Sequence, residues 1–206
     1  MQQQKSEPVD WVGKEFTGFV INTTFSEDNT NKIMEWLAGL KKTVKEGIYT
    51  MTPESLHITV LDWVAPLYEY NGADKRALYE ELRPTYDAAF RRITKSVPAF
   101  DVHFNDIRVT PGAIILIGQD NGQFQSIRGR FMQSIVLPEG GKQPPDLVHA
   151  SLARFVPPAI DLAPVRAYAA KNPLDILQPV ASFRLLETRR EPTQEFTVLD
   201  TYQLGV

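Results

Sequence analysis

Two short stretches each place a histidine and, two residues later, a hydroxyl inside an apolar run: His57-Ile58-Thr59-Val60-Leu61 and His149-Ala150-Ser151-Leu152. Successive side chains of an extended strand point to opposite faces, so His57 shares a face with Thr59 and His149 with Ser151. Ile58, Val60, Ala150 and Leu152 then turn into a core. An imidazole, with an ordinary pKa near about 6.5, gives or takes a proton close to neutral pH. In-line cleavage of a phosphodiester calls for two such groups, one taking a proton from the incoming oxygen and one giving a proton to the departing oxygen. A hydroxyl beside each imidazole can donate to a non-bridging phosphate oxygen and stabilise charge as it develops. This chemistry needs neither a metal nor a cofactor, and none is expected.

The elements that must carry these residues are legible in outline. Residues 1–15 are polar and form an N-terminal extension. Residues 16–25, rich in β-branched and aromatic side chains, read as a strand. Asn29 or Thr30 caps a helix to about Val44 with Ile33, Met34, Trp36, Leu37 and Leu40 as its buried stripe. A short strand at 48–52 and a turn at 53–55 lead into the first motif strand, 56–64, and a loop at 65–73 follows. Residues 74–95 are strongly helical, and Pro84, lacking an amide proton, predicts either two helices or a bend. Strands at 100–110 and 113–119 flank Pro111-Gly112, a turn signal. A helix at 122–135 and a Pro- and Gly-rich loop at 137–146 precede the second motif strand, 147–156. A helix at 163–171 and an antiparallel pair at 180–187 and 196–204 close the chain, with a mobile linker expected at 188–195.

The chain has 206 residues, 43% hydrophobic and 23% charged, and a formal net charge of -3, which fits a globular protein rather than a disordered one. With no cysteine, disulfides, thiolate metal sites and a cysteine nucleophile are excluded. No apolar run approaches membrane-spanning length, and residues 1–11 lack a secretory pattern, so a cytoplasmic location and no membrane association are expected. Basic residues are scattered in pairs such as Lys41-Lys42, Arg91-Arg92 and Arg189-Arg190. An extended nucleic-acid face is therefore not expected, and a small nucleotide or an RNA terminus fits better as substrate.

Other chemistry-bearing residues each have a plainer reading. By alternation Trp63 and Phe155 lie on the histidine faces, and together with Tyr49 they are candidate base-stacking rings, with core or rim packing as the competitor. Arg154 falls on the face opposite His149 and reads as a structural ion pair. His103 alternates with Phe100, Val102 and Phe104 and so faces water. A zinc site built from the three histidines would show ligands paired at short spacing, and none are.

The motifs His57-Ile58-Thr59-Val60 and His149-Ala150-Ser151-Leu152 resemble those of the 2H phosphoesterases, which carry two copies of His-x-Thr/Ser-x with apolar residues at x. The resemblance covers residues 16–204. It implies an α+β fold of two pseudosymmetric lobes whose antiparallel sheets meet in a central cleft, helices outside, as a single domain over 16–206. It also implies His57 and His149 as general acid and base, with Thr59 and Ser151 holding the phosphate. Ser151 and Ala150 depart mildly from the commoner threonine and larger apolar residue. The expected activity is hydrolysis of a cyclic phosphate or a 2′,5′-linked ribonucleotide; the alternative is a nucleotide-binding module using the same cleft without catalysis.

Overall fold

The computed structural model describes residues 4–205. In chain order the elements are β1 (Glu15–Thr24), α1 (Glu27–Thr43), β2 (Ile48–Thr50), β3 (His57–Val64), α2 (Lys75–Thr94), β4 (Phe100–Val109), β5 (Ala113–Gln119), α3 (Gln123–Ser134), β6 (Val148–Phe155), α4 (Ala163–Lys171), β7 (Ile176–Val180), β8 (Ser182–Arg190) and β9 (Glu195–Gln203). The strands form one antiparallel sheet in the order β7-β4-β5-β6-β3-β1-β8-β9, with β2 also against β6. Its waist is narrow, because β3 and β6 meet through one residue pair, Ile58 opposite Ala150. The two expected sheets are thus halves of one, joined at the central x of both motifs.

Helices α1 and α4 cover the half containing β4 and β7; α2 and α3 cover the half containing β1 and β3. One apolar core runs beneath them through both halves. Aromatic rings cross between the halves: Phe25 meets Phe104 at 5.3 Å between centroids, and Phe124 of α3 touches both Phe100 and Phe183. Among the described residues, no helix is long and apolar enough to cross a membrane.

Local chemistry moves several predicted boundaries. Ser26, not Asn29 or Thr30, caps α1, its side chain accepting from Asn29 N; the buried Asn29 amide instead donates to Leu177 O and Gln178 Oε1. Helix α2 runs unbroken through Pro84, so two helices do not form. Pro84 and Glu80 are both exposed, so water can satisfy the Glu80 carbonyl that the proline leaves free. The strand placed at 180–187 is two strands, β7 and β8, and Pro179 is tolerated in β7 because that strand lies at the sheet edge. The linker at 188–195 is the end of β8 and a tight turn, in which Glu191 and Thr193 are buried.

Two departures from alternation decide the site. Along β1, Asn22 faces Thr59 and Ile21 faces Leu61; then Val20 faces Asp62 and Phe19 faces Val64. Each single step of β1 that meets two residues of β3 is a β-bulge. The first bulge returns Asp62 to the face of His57 and Thr59 and so turns Trp63 inward; the second keeps Val64 inward beside it. Strand β6 does the same, with Ile115 facing Ser151 and Ile114 facing Ala153. Arg154 therefore shares the face of His149 and Ser151, and Phe155 enters the core.

Candidate active site

The pair Ile58–Ala150 sets the two motifs antiparallel, so on the open face His57 stands across from Ser151 and Thr59 across from His149. All four line a cleft of about 250 Å³. Upstream of His57, Pro53–Ser55 forms a 3-10 turn whose Ser55 side chain bonds Thr52 N at 2.8 Å and Thr52 O at 3.0 Å. The turn fixes the Ser55 carbonyl, which lies 2.8 Å from His57 Nδ1. A carbonyl only accepts, so Nδ1 carries the proton and neutral Nε2 is the acceptor, 3.2 Å from the Thr59 hydroxyl that donates to it. Burial pushes His57 down to about 4, helped by Arg184 and His149 and opposed by the Ser55 carbonyl and Asp62.

His149 is displaced the same way, chiefly by burial, with Arg154, Arg128 and Lys142 adding to it and the Leu147 carbonyl opposing. That carbonyl, like Ser55 O, lies two residues before its histidine, but His149 Nδ1 makes no hydrogen bond of normal geometry to it. Arg128 Nη1 donates to Leu147 O instead, at 3.3 Å. The same buried guanidinium donates from Nε to Val60 O at 2.7 Å and from Nη2 to Thr59 O at 2.8 Å, capturing carbonyls beside the first β3 bulge. Its helix α3 is anchored by Asp120, whose carboxylate accepts from Gly122 N and Phe124 N. One side chain from α3 thus ties both motif segments together.

The histidine-plus-five positions break the pseudosymmetry. On β3 it is Asp62, nearly buried and paired with Lys142 Nζ at 2.6 Å; on β6 it is Arg154, whose Nη2 donates to Ser151 Oγ at 2.8 Å. Occupying the acceptor side of Ser151 leaves its hydroxyl proton free for a ligand. The Arg154 guanidinium also lies 5.5 Å from the ring centre of Trp11. Residues 65–68 with Lys142 and Pro145 form one wall of the cleft, and Trp11 with residues 191–193 the other.

Of the candidate stacking rings, Trp63 is 1% exposed and packs among Tyr79, Tyr86 and Tyr202, and Phe155 is fully buried; the bulges remove both from the cleft. Tyr49 lies opposite Arg154 on β2, half-buried and outside the lining. The rings that do line the cleft are Trp11 and Tyr68. Among the described residues Arg154 makes no ion pair of the expected kind, and it faces the cleft. His103 is half-buried and bonded to Asp175 at 2.5 Å, away from the lining. Among the described residues no three His, Asp or Glu side chains gather as metal ligands.

No protein-family model matches the chain, and no curated protein does. Solved structures do. TT0787 of Thermus thermophilus has a TM-score of 0.63 at 19% identity, over 91% of this chain and 98% of its own. LigT of E. coli scores 0.64 at 15% identity, over 94% of this chain and 100% of its own. The fold is that of the 2H phosphoesterases. LigT with this fold has been crystallised with phosphate, ATP, NADP+ and 3′-AMP. A further structure, described as a phosphoesterase, scores 0.57 at 15% identity over 93% of this chain and 100% of its own. Within the 2H phosphoesterase fold, the cleft between the halves is where the two motifs of this chain converge.

Proposed function

We propose that the chain is a metal-independent phosphodiesterase that hydrolyses a cyclic phosphate or a 2′,5′-linked ribonucleotide. The observation that carries this reading is the Ile58–Ala150 pair, which opposes two imidazole–hydroxyl pairs across one seam. A phosphate seated on the Ser151 hydroxyl, and on that of Thr59 once it turns from His57 Nε2, would have an imidazole on either side. One imidazole takes the proton of the attacking water as its oxygen bonds to phosphorus. The other gives its proton to the leaving ribose oxygen as the old ester bond breaks. Burial holds both imidazoles neutral when the cleft is empty. The anionic phosphate favours the charged form and so provides the acid. That LigT, which has this fold, has been crystallised with phosphate and with 3′-AMP supports a nucleotide phosphate as ligand.

The test is turnover of 2′,3′-cyclic nucleotides and 2′,5′-oligoadenylate, with EDTA present, by wild type, His57→Asn and His149→Asn. Each variant is expected to lose at least about 10²-fold in rate while melting as wild type does. Wild-type turnover in either variant removes the two-histidine mechanism. Nucleotide binding with no turnover by wild type leaves a binding module.

A further inference from the structure

Beside the phosphate-facing groups the cleft holds a carboxylate that the hydrolysis above does not use. Glu191 lines the wall next to Trp11 and is 7% exposed. Its main chain is fixed on both sides, Glu191 N donating to Lys14 O at 3.1 Å and Gly13 N donating to Glu191 O at 2.7 Å. Oε2 accepts from Thr193 N at 3.2 Å, while Oε1 is buried and makes no hydrogen bond of normal geometry among the described residues, the neighbouring Thr188 hydroxyl being likewise unpaired. Its cationic neighbour Arg154 is turned to Ser151 through Nη2, and Arg154 Nε is also unpartnered. A buried carboxylate oxygen, a threonine hydroxyl and an arginine Nε, near one another and none in a hydrogen bond of normal geometry, are the unusual feature here.

We propose that Glu191 reads the base of the bound nucleotide by accepting the adjacent N1–H and N2–H₂ donors of guanine, with the Trp11 ring beside it. This rests on the nucleotide reading of the cleft. A carboxylate repels the phosphate itself, so its partner belongs to the group that the ester carries. Among the four bases, guanine alone offers two adjacent donors on one edge. Adenine and cytosine set an acceptor next to their amino group, and uracil flanks its one N–H with carbonyls, so each turns an acceptor toward a carboxylate that offers only acceptors.

The selectivity has a pH signature. Burial, with Asp62 nearby, pushes Glu191 up to about 7 against the pull of Thr188, the Thr193 amide and Arg154; the Lys75 ammonium faces it from α2. Only the ionised form accepts from both donors, so the guanine preference grows as pH rises through about 7.

Isothermal titration of guanosine and adenosine 3′-monophosphate, at pH 8 and pH 6, tests this on wild type and Glu191→Gln. The phosphate titrates alike in both ligands, so the ratio of their Kd values isolates the base. Wild type is expected to bind the guanosine nucleotide about tenfold more tightly at pH 8. The ratio should shrink at pH 6, which needs no variant, and fall to about one in Glu191→Gln at both pH values. A ratio near one in wild type, or a preference that survives Glu191→Gln, overturns the base reader. A preserved guanine preference without turnover of any cyclic guanosine phosphate overturns the diesterase reading instead. Failure of both nucleotides to bind overturns both.

Discussion

His57 and Glu191 line one cleft and respond to pH in opposite senses. The unfolded chain titrates His57 near 6.5 and the folded chain near 4, so between these values the unfolded state holds the extra proton. The stability this neutral imidazole brings is complete above pH 6.5 and is lost as pH falls to 4, at most about 3 kcal/mol. Glu191 is displaced from 4.5 to about 7, so over that window the folded state holds the extra proton. Its contribution is complete below pH 4.5 and is lost as pH rises through 7. Urea unfolding should therefore show Glu191→Gln gaining on wild type as pH rises from 4.5 to 7, and His57→Asn gaining as pH falls from 6.5 to 4. Parallel stability profiles for wild type and a variant would mean that the replaced side chain is solvated. Taking differences from wild type cancels every other titrating group, including His149, which burial displaces in the same direction as His57.

At the level of elements, the motif strands hold their parity only because bulges and Arg128 fix it. The backbone carbonyls that accept from Arg128 lie at the β3 bulge and just before β6, where the ladders have no partner for them. Arg128→Met leaves the carbonyls of buried Val60 and half-buried Thr59 without their donor and should cost about 3 kcal/mol in urea unfolding. It should also lower kcat by letting the two histidine strands shift relative to one another. Arg128→Lys, a single point donor, should recover little of either. Wild-type kcat in a destabilised Arg128→Met would show that the strap serves stability alone. Nothing in the sequence marks this role, since a helix arginine reads as surface charge until its neighbours are known. The strands themselves were legible from β-branched and aromatic runs, and the four motif residues from alternation over two positions. Alternation failed beyond that distance: a run such as Val60-Leu61-Asp62-Trp63 carries no sign of a bulge, which appears only against the partner strand β1. Alternation misplaces Trp63, Phe155 and Arg154 for that one reason. Trp11 carries no such signal, because a lone tryptophan in a polar leading segment shows nothing of the wall it joins.

Across the whole molecule, the repeated motif announces two halves, but their coupling comes from features that no local stretch displays. The sheet narrows to one pair at Ile58–Ala150, a weak joint taken alone. Beneath it the apolar core is continuous, and Phe124 packs on Phe100 of one half and Phe183 of the other. Separating the halves would expose those rings to water, so the core rather than the ladder makes the chain one cooperative unit. Two tryptophans report on it independently. Trp36 donates to Asn172 O at 2.7 Å and meets Tyr168 in the α1–α4 layer, whereas Trp63 packs on Tyr79 and Tyr86 in the α2 layer. Replacing Trp11 and one of these with phenylalanine leaves a single probe in one half. In each such variant, the fluorescence midpoint in urea should coincide with the midpoint by far-ultraviolet circular dichroism. The variants will differ in absolute stability, because Trp63 is the more tightly enclosed, so the comparison is made within each protein and not between them. Fluorescence of the Trp36 variant departing before the circular dichroism would show the β4–β7 half loosening first, and the joint at the motifs would then be a hinge between two folding units.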